Sequence, residues 1–100
     1  MHIFADMKNL LANISKLHTT PLGRERILRN LNLPDSDIVE TLKRLIMNDS
    51  AKIERKGKNY YITSSYCKIT VNAGSFTIIT AHLLKMPVVM LTLSAIGFLF

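Results

Sequence analysis

The chain has very little cysteine, and this scarcity excludes several kinds of protein. Cys67 is the only cysteine among 100 residues, so the chain can form neither an internal disulfide nor a metal site built from several cysteines. A single thiol is typical of the reducing cytosol, and we therefore expect a cytoplasmic protein. The N-terminal segment MHIFADMKNLLANI also lacks the basic region and long apolar run of a signal peptide.

Acidic residues are missing from the second part of the chain. All seven Asp and Glu residues lie at or before Glu54, whereas five of the thirteen Lys and Arg residues follow it. The net charge of +6 favours an acidic partner, either a nucleic acid or an anionic membrane surface. Any such partner is expected to bind the C-terminal part, because the excess of positive charge lies there.

Charge is absent altogether from residues 86–100. This apolar tail is shorter than the roughly 20 residues that a helix needs to span a bilayer, so we predict no transmembrane helix. An exposed apolar segment of this kind would favour aggregation. The sequence therefore predicts that the tail is buried in the fold, or that it contacts a protein partner or a second copy in a homo-oligomer.

Three stretches in the first half have the apolar spacing of helices. Apolar residues recur every three or four positions in 4–17, again behind Thr20 and its following proline, and from 38 to about 48. Thr20 is expected to cap the second helix with its hydroxyl, with the proline at the first helical position. Asp35 or Ser36 is expected to cap the third.

A small antiparallel sheet of about four strands is predicted for 52–84. Turn signals at 56–59 and 72–75 separate runs rich in β-branched and aromatic residues. No crossover helix lies between these strands, so the fold class is α+β, with about three N-terminal helices followed by the sheet. At this length we expect one domain, 1–100, with a helical part 4–48, a sheet part 52–84 and the tail 86–100.

Two blocks of the sequence carry a resemblance to a known family. One is His18-Thr-Thr-Pro-Leu-Gly-Arg-Glu-Arg-Ile-Leu-Arg-Asn-Leu31, and the other comprises the runs GKNYYI, ITVN and SFTIITAH that end at His82. The chain thus resembles an uncharacterised bacterial domain family with the pattern HTTxxGxxRIxxNL, GKNWYI and ITVNxxSYTIITAH. Tyr60 stands where that pattern has Trp, and Phe76 where it has Tyr.

More distantly, helices with His and Arg before a Thr-rich final strand are similar to barnase, colicin and RelE-like ribonucleases. This resemblance implies RNA binding or RNA cleavage without a metal, in which the 2′-hydroxyl attacks the adjacent phosphate with the help of an acid, a base and cations. We expect no cofactor and no metal, because the three histidines are dispersed and no HExxH or CxxC motif occurs. A non-catalytic nucleic-acid-binding module and a protein-interaction or regulatory protein are the alternatives.

Four residues are candidates for the catalytic chemistry: His18, Arg26, Thr80 and His82. An imidazole titrates near neutrality and can transfer a proton, and a period of two places Ile78, Thr80 and His82 on one face of a strand. A Thr/His pair on that face could bind phosphate and move a proton. Alternatively, His18 interacts with the dipole of the first helix, and the strand residues are purely structural.

The predicted hairpin tip provides the candidate nucleic-acid-binding residues Lys56, Lys58, Asn59 and Tyr60. Cations beside an aromatic surface are typical of sites at which a base stacks. The alternative is an ordinary charged turn followed by a strand in which one of Tyr60 and Tyr61 packs in the core and the other faces outward.

Overall fold

A computed structural model describes residues 2–33 and 37–84 of the chain, with side chains from Ala5 onward. In the described residues, three α-helices precede a four-stranded antiparallel sheet, so the α+β prediction is confirmed. The helices are α1 (His2–Ala12), α2 (Pro21–Leu31) and α3 (Ile38–Met47), and the strands are β1 (Lys52–Lys56), β2 (Asn59–Thr63), β3 (Cys67–Asn72) and β4 (Ile78–Leu83). That 1–100 form a single domain stays a prediction, and its tail 86–100 lies outside the described residues.

The helix ends follow local hydrogen bonding. Helix α1 ends five residues before the predicted Leu17, because Asn13 leaves the helical conformation and its side-chain amide donates to the Asn9 carbonyl. A short 3₁₀ turn, Ile14–Lys16, follows. The predicted cap of α2 is confirmed, since Thr20 Oγ1 accepts a hydrogen bond from the Gly23 amide at 3.0 Å.

The predicted cap of α3 is wrong by at least one position. Asp37 occupies the N-cap, and its Oδ1 accepts a 3.4 Å hydrogen bond from the Glu40 amide. Aspartate at this position satisfies one of the amides that the first helical turn leaves without a partner.

Strand order in the sheet is β1-β2-β3-β4, with each strand antiparallel to the next. Gly57, at φ +59°, allows the tight turn between β1 and β2. One face of the sheet is apolar and packs against the helices. The core contains Leu10, Ile27, Leu31, Ile38, Leu42 and Ile46 from the helices, and Ile53, Tyr60, Ile62, Ile69, Val71, Ile78 and Ala81 from the sheet.

A β-bulge changes which residues of β4 share a face. Thr80 pairs with Thr70, but Val71 pairs with Ile78 rather than Ile79, so one extra residue is inserted in β4. The predicted grouping of Thr80 with His82 holds, because His82 pairs with Lys68 two positions further along. The grouping of Ile78 with them is wrong, since the extra residue turns Ile78 to the core, where it is buried.

None of the described helices is long and apolar enough to cross a membrane. The predictions of tail burial, or of a protein partner or homo-oligomer formed through the tail, concern residues outside the described part of the chain.

Candidate nucleic-acid interface

The outer face of the sheet brings together many of the polar residues of the C-terminal part. Register pairs Glu54 with Tyr61, Tyr61 with Thr70 and Thr70 with Thr80. Because side chains alternate along each strand, these residues share the face opposite the core. We define the outer face as Lys52, Glu54, Lys56, Asn59, Tyr61, Thr63, Lys68, Thr70, Asn72, Thr80 and His82. None of the buried hydrophobic residues that the structure describes lies on this face.

Tyr61 lies near the middle of the outer face and is half-buried. Its hydroxyl oxygen is 3.4 Å from Asn59 Nδ2, which donates to it. The Lys68 ammonium is 5.5 Å from the centroid of the Tyr61 ring, within the range of a cation–π contact. The ring is therefore held in place by neighbours on its own face and keeps exposed surface for a ligand.

Positive charge predominates on this face. Lys52, Lys56 and Lys68 contribute three cations, whereas Glu54 is the one acidic residue in the four described strands. The lysines Lys52 and Lys56 are exposed, and Lys68 is half-buried. Since these three positive charges outnumber the single negative charge of Glu54, the face favours binding of a polyanion.

Tyr60 requires a correction to the predicted hairpin site. Its side chain has 0% exposure, its hydroxyl accepts a hydrogen bond from Asn9 of α1, and its ring stacks on Phe76 with centroids 6.5 Å apart. A base cannot stack on a ring enclosed in the core. The alternation of the strand turns Tyr61 outward instead. This is the alternative arrangement, in which one of the two tyrosines packs in the core and the other faces outward.

The remaining hairpin residues are accessible or partly so. Lys56 and Lys58 are exposed, and Asn59 is half-buried and pairs with Lys56 and with Asn72. Lys58 belongs to the turn rather than to a strand. Of the predicted nucleic-acid-binding residues, Lys56 and Asn59 therefore lie on the outer face, Lys58 lies at its rim, and Tyr60 lies beneath it.

Thr80 and His82 lie on the outer face at the β4 side. His82 is exposed and sits directly opposite Lys68, and Thr80 sits opposite Thr70. Asn30 of α2 donates from Nδ2 to Thr80 Oγ1 at 3.3 Å. This contact places the polar flank of α2 beside the outer face.

Arg26 lies on the same flank of α2, one turn before Asn30. Residues four apart on a helix are neighbours on its surface, and Arg26 is exposed. Arg26 therefore lies on α2 on the same side as Asn30 and is not part of the sheet.

His18 belongs to a different cluster. Its backbone forms a parallel bridge with Thr77, and its ring nitrogen Nε2 is 3.1 Å from Thr77 Oγ1. Nδ1 is 2.9 Å from the Lys16 carbonyl oxygen, which can only accept, so Nδ1 donates this hydrogen bond. Ser75 Oγ lies 2.7 Å from the Thr77 hydroxyl.

The two candidate histidines are far apart. Thr77, the partner of His18, is five residues from His82 along an extended strand, which corresponds to roughly 15 Å. One bound phosphate cannot touch both rings at that separation. The catalytic roles of His18, Arg26, Thr80 and His82 stay predictions. Of these four residues, only Thr80 and His82 lie together on one face of a strand.

Cys67 is buried at the start of β3, on the core side. Burial raises the pKa of its thiol, and a hydrogen bond from Ser64 opposes this effect in part. Burial and the nearby Cys67 also raise the pKa of the Tyr66 hydroxyl. Among the described residues no cluster of His, Cys, Asp or Glu could hold a metal ion.

Sequence reasoning missed most members of this surface, namely Lys52, Glu54, Thr63, Lys68, Thr70 and Asn72. The signal was present in β3, where Lys68, Thr70 and Asn72 alternate with apolar residues. Such alternation is typical of a strand with one polar face, so the sequence alone indicates the polar side of β3.

A family model described as "Protein of unknown function (DUF3781)" matches residues 11–82. The chain belongs to this family. No curated protein and no solved structure matches it. The predicted membership of an uncharacterised family is thus confirmed, while the likeness to ribonucleases stays a prediction.

In this DUF3781 member, the two blocks that carry the resemblance lie next to each other in space. Thr19 Oγ1 donates to the Ile78 carbonyl at 2.9 Å, and the backbone of His18 exchanges hydrogen bonds with Phe76 and Ile78. The segment before α2 is therefore attached along the edge of β4. This attachment positions α2 and Asn30 beside Thr80.

Proposed function

We propose that the chain binds single-stranded RNA on the outer face of its sheet. The observation that supports this most is the partly exposed Tyr61 ring, which lies among the lysines of the face opposite the core. Single-stranded RNA offers both groups that such a surface binds, namely phosphates for the lysines and unstacked bases for the ring.

Binding would rearrange the contact between Lys68 and Tyr61. A base that stacks on Tyr61 takes the position that the Lys68 ammonium holds above the ring, and the ammonium then turns to the adjacent phosphate. A charge-assisted hydrogen bond to phosphate is stronger than an exposed cation–π contact, which is worth about 0.5–1 kcal/mol. The exchange is therefore favourable.

RNA cleavage is the second candidate function, and the position of His82 opposite Lys68 favours it. In that reaction His82 removes the proton of the 2′-hydroxyl, the 2′-oxygen bonds to phosphorus, and the 5′-oxygen leaves with a proton from an acid. Lys68 would stabilise the phosphate charge. Binding ranks first because, among the described residues, the outer face supplies one histidine as a candidate base and no second histidine beside it to act as the acid.

The cytoplasm is the location that we propose, on the strength of the single cysteine. A role as a protein-interaction or regulatory protein is the outcome to accept if RNA does not bind.

Fluorescence anisotropy with a labelled single-stranded RNA tests the proposal. Tyr61→Ala should weaken binding by roughly 5- to 150-fold, the scale of losing one base–aromatic stack. The double variant Lys52→Ala/Lys68→Ala should also lower the slope of log affinity against log salt by about 1.4, because each phosphate contact on a single strand contributes about 0.7.

Lys43→Ala/Arg44→Ala on α3 is the matched control, since it removes the same charge from the helical layer. Equal effects of the two double variants would contradict binding by the outer face.

The same samples are run on a denaturing gel with and without EDTA. Cleavage is established if strand scission requires the 2′-hydroxyl, leaves a 2′,3′-cyclic phosphate and slows by about a hundredfold or more in His82→Ala. Intact RNA would exclude cleavage for that substrate.

A further inference from the structure

The outer face is organised in rows that run across the strands. The cationic row contains Lys52, Thr63, Lys68 and His82, which lie side by side through the registers of the three strand pairs. The reading row contains Glu54, Tyr61, Thr70 and Thr80, and the hydrogen bond from Asn30 to Thr80 extends it onto α2. The two rows are two residues apart along the strands, which corresponds to about 6.6 Å.

The acidic residue Glu54 is unexpected on a surface that binds only phosphate groups. It is the one acid in the four described strands, it is exposed, and its carboxylate makes no hydrogen bond or ion pair with any residue that the structure describes. A carboxylate repels phosphate, so it weakens unspecific binding. The same group is a strong acceptor for the amino group of a base.

The position of Glu54 relative to Tyr61 places its carboxylate beside a base that stacks on the Tyr61 ring. The two residues are directly opposite each other in adjacent strands, and such pairs have Cβ atoms about 4.5–5.5 Å apart. A base stacked on Tyr61 therefore presents its edge within reach of the Glu54 side chain. A base with an amino group donates to the carboxylate, whereas the carbonyl of uracil at the same position is repelled.

We propose that Glu54 makes the Tyr61 position select cytosine over uracil, with the phosphates of the strand on the cationic row. The two bases share one ring and differ at the group that a carboxylate distinguishes, because cytosine has the N4 amino donor where uracil has the O4 acceptor. This inference rests on the proposed function, since it assigns a base preference to the same surface.

The test measures the affinity of the full chain for oligocytidylate and oligouridylate RNAs of equal length at neutral pH. We expect the wild type to prefer the cytosine oligomer by roughly 5- to 150-fold, the range found for one well-formed contact to a base edge. Glu54→Gln should bring the ratio close to one, because the glutamine amide can donate to uracil as well as accept from cytosine. Glu54→Ala is the second variant and should do the same.

Glu40→Gln on α3 is the matched control and should leave the preference unchanged. Equal affinity of the wild type for both oligomers overturns the selection by Glu54. The proposed function stands in that case if Lys52→Ala/Lys68→Ala still weakens binding and lowers its salt dependence. A preference that persists in Glu54→Gln and Glu54→Ala also overturns it. Absence of binding to either oligomer, and to the mixed RNA, refutes the proposed function and the inference together.

Discussion

Replacement of Gly23 by alanine tests how α2 is attached to the edge of β4. A Cβ atom at position 23 would lie 2.5 Å from Thr19 Oγ1 and 3.1 Å from Thr20 Oγ1. The first distance is too short for any real contact, so the Thr19 hydroxyl must move away. Because that hydroxyl donates to the Ile78 carbonyl, we expect Gly23→Ala to break the hydrogen bond between the two matched blocks of the sequence.

The expected magnitude follows from two opposing effects. Loss of the bond, with the Ile78 carbonyl left without this partner, costs about 1–3 kcal/mol. Alanine stabilises a helix relative to glycine by about 0.5–1 kcal/mol, and position 23 lies in the first turn of α2, where the gain is at the low end. The net loss in the free energy of unfolding is therefore about 0.5–2.5 kcal/mol, with a Tm lower by several degrees.

Urea unfolding followed by circular dichroism measures this change, and a double-mutant cycle with Thr19→Ala identifies its cause. Thr19→Ala removes the closer of the two hydroxyls that the new Cβ would meet and leaves only the 3.1 Å approach to Thr20 Oγ1, so Gly23→Ala should cost little in that background. We expect a coupling energy of up to about 2.5 kcal/mol, and of at least about 0.5 kcal/mol. Additivity of the two substitutions to within about 0.5 kcal/mol would refute the reasoning, because it would mean that the Thr19 hydroxyl is not what the alanine displaces.

Two further predictions concern Cys67 and His18. Since burial raises the pKa of the Cys67 thiol, the folded chain keeps a proton that the unfolded chain loses above the ordinary thiol pKa of about 8.5. The free energy of unfolding should therefore fall as the pH rises past that value. Denaturant titrations should show a smaller fall for Cys67→Ala. An equal fall in both proteins would contradict this. His18→Ala should lower the free energy of unfolding by about 1 kcal/mol, because it removes the hydrogen bond to Thr77. Thr77→Val should show a similar loss. Unchanged stability of His18→Ala in thermal or urea unfolding would argue against this structural role.

The local elements of the fold could be predicted from the sequence. Helical spacing before residue 48, the Thr20 cap and the turns around Gly57 and Asn72 depend on neighbours a few positions away, so they can be recognised in the chain itself. The excess of positive charge in the C-terminal part could likewise be predicted from the sequence. Alternation in β3 also indicates a polar face, although the sequence does not show which face packs on the helices.

Only the tertiary structure decided which of the predicted site residues lie together. The choice of Tyr61 over Tyr60 as the outward ring depends on the pairing of β2 with both neighbouring strands and on its packing against α1. The bulge that turns Ile78 inward while Thr80 stays outward is set by the pairing of β4 with β3, and no local signal marks it. His18 and His82 are separated because the chain before α2 is attached to one end of β4 and His82 lies at the other. Each of these outcomes depends on contacts between residues distant in the chain, and period and composition carry no information about such contacts.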